Sequence, residues 1–185
     1  VIKVVGDDVV VEKLIPNVAN KSGCDSKNLS LVSVESKWLN GPSLEYVLYR
    51  NSRVTGICLK DLFEPCFLWL SLLNEMSKEI NVHGYIPGRC IDLIWRNTII
   101  DGGKAHFIDD EWCYNKKISI NALTIRSLVY FLIKTRNMTD LTKCLKTRSI
   151  YSKVWEVCNV LGLSLTKDNF EEFFGNPEPE ELIIF

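Results

Sequence analysis

Four acidic residues and an amide stand at a spacing that chemistry can use. Asp92 is followed five residues later by Asn97, and beyond a short turn come Asp109, Asp110 and Glu111. An Asp on a rigid loop can accept or orient a hydroxyl proton. An amide carbonyl and a carboxylate on facing strands can grip a hard divalent cation such as Mg²⁺, which prefers oxygen ligands and keeps its remaining positions for water or phosphate. The segment between them supports that geometry. Residues 98–100 and 105–108 are apolar and β-branched or aromatic in large part, and Asp101-Gly102-Gly103-Lys104 separates them. That is a hairpin signal, and a hairpin fixes the distance between its two ends by backbone geometry.

The elements around this segment follow from periodicity. Residues 2–5 and 9–14 are β-rich and flank Gly6-Asp7-Asp8, which predicts a first hairpin. Residues 15–29, with Pro16, Gly23 and several Asn, Ser and Lys, read as a loop. Alternation over 31–38 predicts a third strand, and Ser43 caps a short helix over 44–49. From Asp61, apolar residues recur at helical spacing as far as Glu79, which predicts one long buried helix. Residues 83–97 are irregular. After the second hairpin the remainder reads as helical, over 121–135, 150–161 and 169–174. Strands first and helices afterwards imply an α+β fold with segregated layers.

Composition excludes several classes. The chain has 185 residues, enough to bury a core without staples. Its 46% hydrophobic and 24% charged residues exclude a disordered chain. A net charge of −1 gives no basic field for nucleic acid, so no nucleic-acid partner is expected. The seven cysteines form no C-x-x-C pair, so they are read as reduced, mostly buried thiols of a cytoplasmic protein. His83 and His106 are too few for a histidine metal centre and are read as structural. The most apolar run, 66–73, is too short to span a bilayer. The chain opens at Val1 inside a β-like run, so it is read as part of a larger polypeptide.

The stretch from Cys90 to Ile100, followed by His106-Phe107-Ile108-Asp109-Asp110-Glu111-Trp112, resembles the catalytic core of the protein-kinase and aminoglycoside-phosphotransferase superfamily. There an Asp is followed five residues on by an Asn, and a hairpin leads to a second Asp. Ile108-Asp109-Asp110-Glu111 is more similar to the Ile-Asp-x-Glu of small-molecule kinases than to Asp-Phe-Gly. The chain also looks like the kinase-like domains attached to bacterial sugar-modifying methyltransferases. These show an Asp-Leu-x-x-x-Asn stretch, Ile-Asp-x-Glu-Trp and an Arg-containing helix, which Arg126 fits by tying the catalytic loop to the helix behind it.

The resemblance implies a protein-kinase-like fold, with residues 1–42 as a reduced β-rich N-terminal lobe and hinge, and 43–185 as a helical lobe. It implies ATP and Mg as cofactors, and a hydroxyl of a sugar or other small molecule as acceptor. Asp92 would be the catalytic base. Asn97 and Asp109 would be the metal ligands, with Asp110 the neighbouring alternative and Glu111 a second carboxylate near the metal or a support for the loop. Lys13 would contact phosphate, with Lys3 as second candidate, and the adenine would lie against the backbone of Ser36, Lys37, Trp38 and Leu39. The sequence departs from the family in lacking a Gly-rich phosphate loop and in having Cys90-Ile91 directly before Asp92. Those departures motivate the alternative of a degenerate kinase-like module that binds a partner without turnover.

Overall fold

The structure is a computed structural model. It describes residues 2–5, 8–12, 29–31, 35–37, 39–108, 112–136, 141, 145 and 149–174. Side chains are described within 39–108, 114–136, 141, 145 and 149–170.

The described elements are mixed α+β. Strands β1 (Ile2–Val5), β2 (Asp8–Glu12) and β4 (Glu35–Lys37) form an antiparallel sheet in the order β1-β2-β4. Val5 pairs with Asp8, so β1 and β2 form an antiparallel pair where the first hairpin was expected. Strand β3 (Leu29–Leu31) pairs with β8 (Trp112–Tyr114), and β5 (Tyr85–Ile86) with β9 (Ile118–Ser119). The second hairpin joins β6 (Thr98–Asp101) to β7 (Lys104–Phe107), with Asp101 opposite Lys104. Gly102 and Gly103 both have positive φ, 56° and 73°, which is what a two-residue turn between twisted strands requires.

Three expectations are corrected. Residues 31–38 are not one strand: Leu31 belongs to β3 and Glu35–Lys37 to β4, and the two lie in different sheets. The long helix is two, α2 (Leu59–Phe63) and α3 (Cys66–Ile80). Pro65 sits at the break, where its missing N–H and fixed φ suit the start of a helix but not its interior. Residues 112–119 are not helical but hold β8 and β9.

Helix α1 (Leu44–Asn51) is capped by Ser43, whose hydroxyl accepts from the Tyr46 N–H. Helix α4 (Ile120–Lys134) begins at Ser119, which caps it in the same way through Ala122. Helices α5 (Ile150–Val160) and α6 (Lys167–Phe174) pack on α4, and α5 also meets α2. Six consecutive residues of α4 are buried, Leu123 through Leu128, with Ile120, Phe131 and Leu132 besides, so it is a central helix rather than an amphipathic surface one. Helix α3 instead buries a stripe, Cys66, Trp69 and Leu73, at helical spacing.

The centre of the core is aromatic. Trp95 lies 6.0 Å from Phe63, 6.0 Å from Trp69 and 5.9 Å from Phe131, all tilted or edge-on. Because Trp95 belongs to the segment between Asp92 and Asn97, this buried aromatic cluster lies under the loop that carries those two residues.

The four cysteines whose side chains are described are free thiols, Cys66, Cys90 and Cys158 buried and Cys58 exposed. Burial raises the Cys66 thiol well above the usual range, and the nearby Cys158 adds to the rise. Burial pushes Cys158 up to about 12. A raised folded-state value means that the contribution to stability is complete below the unfolded thiol value of roughly 8.5 and is lost as pH rises towards the folded value. Stability should therefore fall above pH ~8.5 by about 1.4 kcal/mol per pH unit per thiol. Urea titrations at a series of alkaline pH values check this. The fall should be shallower in a Cys66→Ala/Cys158→Ala double variant, and identical slopes would contradict it.

Candidate functional site

The loop from Cys90 to Asn97 is held by its own backbone and by the core. A 3-10 turn spans Gly88–Cys90 and a second spans Trp95–Asn97. The Asp92 carbonyl accepts from the Ile94 N–H at 2.8 Å and from the Asn97 side-chain amide at 3.0 Å. The Ile94 carbonyl accepts from the Asn97 N–H at 3.0 Å and from the Thr98 hydroxyl at 3.0 Å. The Trp69 indole donates to the Leu93 carbonyl at 2.9 Å. Few conformational degrees of freedom are left to residues 92–97, which is what a positioning loop needs.

Asp92 and Asn97 are both 6% exposed. They are brought together as expected, but their side chains have different tasks. The Asn97 amide nitrogen is committed to the Asp92 carbonyl, so the amide is fixed with its oxygen as the free acceptor end. That orientation suits a ligand for a hard cation. The Asp92 carboxylate is not free. Arg126, reaching from α4, donates to it through Nη2 at 3.1 Å and to the Ile91 carbonyl through Nη1 at 2.6 Å. The pair is buried, with the Arg126 and Asp92 side chains 5% and 8% exposed. Arg126 thus ties loop to helix, as expected.

The hairpin completes the frame. The Ile108 N–H donates to the Asn97 carbonyl at 2.9 Å, which extends the β6–β7 ladder to the residue immediately before Asp109. The connector ahead of α1 lies along the same hairpin. Ser43 bridges to Ile99, and the Ile100 N–H donates to the Pro42 carbonyl at 2.9 Å. The approach is so close that a Cβ on Gly41 would sit 2.2 Å from the Ile100 carbonyl oxygen, so only glycine fits there.

The other expected site residues are less informative. Lys13, Trp38, Asp109, Asp110 and Glu111 lie outside the described residues. Lys3, Ser36 and Lys37 lie on described strands, and their side chains are outside the description. Leu39 is half-buried in the connector. His83 is exposed and His106 half-buried on β7. Among the described residues no three His, Cys, Asp or Glu side chains converge as a metal cluster. No helix among the described residues is long and apolar enough to cross a membrane.

Sequence reading missed Arg96 and Tyr130 at this site. Arg96 and Arg126 each place a guanidinium near the Tyr130 ring, 5.7 and 5.8 Å from its centroid. A cavity of about 360 Å³ lies between α1 and the end of α4, walled in part by Tyr46, Tyr49, Phe131 and the Glu45–Lys134 ion pair. Neither Asp92 nor Asn97 lines it.

Comparison of the chain with protein-family models, with curated proteins and with solved structures gives no match.

Proposed function

We propose that the chain is an ATP- and Mg²⁺-dependent phosphotransferase acting on a hydroxyl of a sugar or other small molecule, with a protein-kinase-like arrangement of a reduced lobe over 1–42 and a helical lobe over 43–185. The observation that carries this reading is the bond from the Ile108 N–H to the Asn97 carbonyl. It ties the strand leading to Asp109 to the loop that holds Asp92 and Asn97. Phosphoryl transfer asks for positioning and charge neutralisation rather than covalent chemistry, and a hairpin anchored on a core-packed loop supplies positioning.

In this reading Asn97 and Asp109 would hold magnesium, which when bound neutralises phosphate oxygens. Asp92 orients the acceptor hydroxyl and takes its proton. Lys13 contacts phosphate, and the backbone of 36–39 meets the adenine. Arg126 holds the Asp92 carboxylate in one orientation. The same Arg126 contact also favours a second reading. A carboxylate this buried and already paired suits a module that keeps the architecture to bind a partner and turns nothing over.

Nucleotide binding separates the two. Anything that binds only the folded state raises its stability, by about 2.7 kcal/mol at a hundred-fold excess over Kd. In a thermal-shift scan at millimolar ATP, the melting temperature should rise with Mg²⁺ and stay unchanged when EDTA removes the metal. No rise with excess Mg²⁺ would favour the partner-binding module.

A further inference from the structure

We infer that the cavity between α1 and the end of α4 binds a neutral, flat-ringed small molecule with one N–H or O–H donor, and that the 92–97 loop senses its occupancy. The cavity holds about 360 Å³. Small-molecule sites run from roughly 300 to 1,000 Å³. Its floor is deep and its polar capacity is used. Phe131 and Thr135 are each 1% exposed, and the Thr135 hydroxyl donates to the Phe131 carbonyl at 2.7 Å. Tyr46 and Tyr49 form its walls, three residues apart on α1 and so on one face of that helix. They are 58% and 38% exposed, unusual for two large rings beside a buried floor. A flat ring entering there covers aromatic surface that water now wets and meets Phe131 beneath.

The charges at the cavity select a neutral ligand. Glu45 from α1 and Lys134 from α4 pair across it at 2.8 Å and neutralise one another. Arg53, over the Tyr49 ring at 5.3 Å, is exposed and screened by solvent. A charged ligand has to break the Glu45–Lys134 pair or lie desolvated against the partner of its own sign. A single N–H or O–H can instead donate to the Glu45 carboxylate, which has lone pairs beyond the one Lys134 takes, and leave the pair intact. Two walls of the cavity rest on the loop. Phe131 lies edge-on to Trp95 with 5.9 Å between ring centroids, and α1 packs on the turn Trp95–Asn97. The Trp95 indole N–H is buried with no hydrogen-bond partner, so packing alone sets its surroundings and it registers any shift of Phe131. None of this depends on the phosphotransferase reading.

The test is an NMR titration of the isotope-labelled chain with indole, a neutral flat ring with one N–H. Its charged relatives indole-3-acetate and tryptamine are titrated in parallel. Indole should produce saturable shifts at the backbone amides of Tyr46, Tyr49 and Thr135, and at the Trp95 indole N–H with the same midpoint. Tyr46→Ala and Tyr49→Ala should each weaken binding by about ten-fold, the effect of losing one aromatic contact. Both side chains are exposed, so each variant should fold, and either one suffices for the test. Tyr151→Ala removes an equally exposed ring from α5, away from the cavity, and should leave the affinity at the parent value. The two charged probes should bind at least about ten-fold more weakly than indole. Absence of saturable shifts at the cavity amides, or parent-like affinity in both tyrosine variants, would overturn the site. Indole-3-acetate or tryptamine binding as tightly as indole would overturn the neutral ligand class. Saturation at the cavity with an unmoved Trp95 signal would overturn the link to the loop.

Discussion

Arg126→Met should destabilise the protein by about 3–5 kcal/mol, the cost of leaving a buried carboxylate without its partner. Asp92 keeps 8% of its side-chain surface in contact with solvent, so water cannot replace the guanidinium fully. The Ile91 carbonyl loses its donor at the same time. For a chain of this size the melting temperature should drop by roughly 10 °C. The loss belongs to the stranded charge and not to missing volume, since methionine fills much of the space of arginine's stem. A double variant, Arg126→Met with Asp92→Leu, should therefore recover most of the stability, because an apolar pair of similar size costs little or nothing relative to a buried ion pair. Denaturant titration of the single and double variants checks this. A double variant as unstable as Arg126→Met would mean that arginine's packing, not the charge of Asp92, sets the cost.

The hairpin and the loop before it were legible because their signals are local. Gly102-Gly103 between two β-branched or aromatic runs leaves few other structures open, and the turn forms where it was expected. Asp92 and Asn97 were legible as a pair by spacing alone, and the structure joins them through one hydrogen bond. Helix α4 was legible as a helix over 121–135, within a residue or two of its bounds. What was not legible depends on partners far away in sequence. Leu29–Leu31 and Glu35–Lys37 look alike as short alternating stretches, yet one pairs with residues 112–114 and the other with β2. Strands β8 and β9 have three and two residues, too few to show a period of their own. The break at Pro65 was hidden because Leu62, Phe63 and Cys66 continue the apolar spacing across it, and all three are buried. Tyr130 gave no signal at all. Its ring meets Arg96 only because α4 crosses behind the loop, a contact between residues 34 apart in the chain by their numbers.

Asp92→Asn should abolish nearly all turnover, and it should also lower stability, because the buried Arg126 guanidinium loses its counter-charge. An asparagine is close in size to aspartate and its side-chain oxygen can still accept from Arg126, so the loop keeps its tether to α4. What it loses is the ability to take a proton from the acceptor hydroxyl. General-base catalysis by a positioned side chain contributes about 10²–10⁴-fold, and kcat should fall by that factor with the affinity for ATP little changed. The direct measurement is transfer of the γ-phosphate of ATP to a panel of sugars and other small hydroxyl compounds in excess Mg²⁺, with the unmodified chain and Asp92→Asn side by side. The result predicted is transfer to at least one hydroxyl by the unmodified chain and a loss of at least about 10²-fold in the variant. Equal transfer by both proteins, or none by the unmodified chain to any acceptor, would contradict a phosphotransferase built on Asp92.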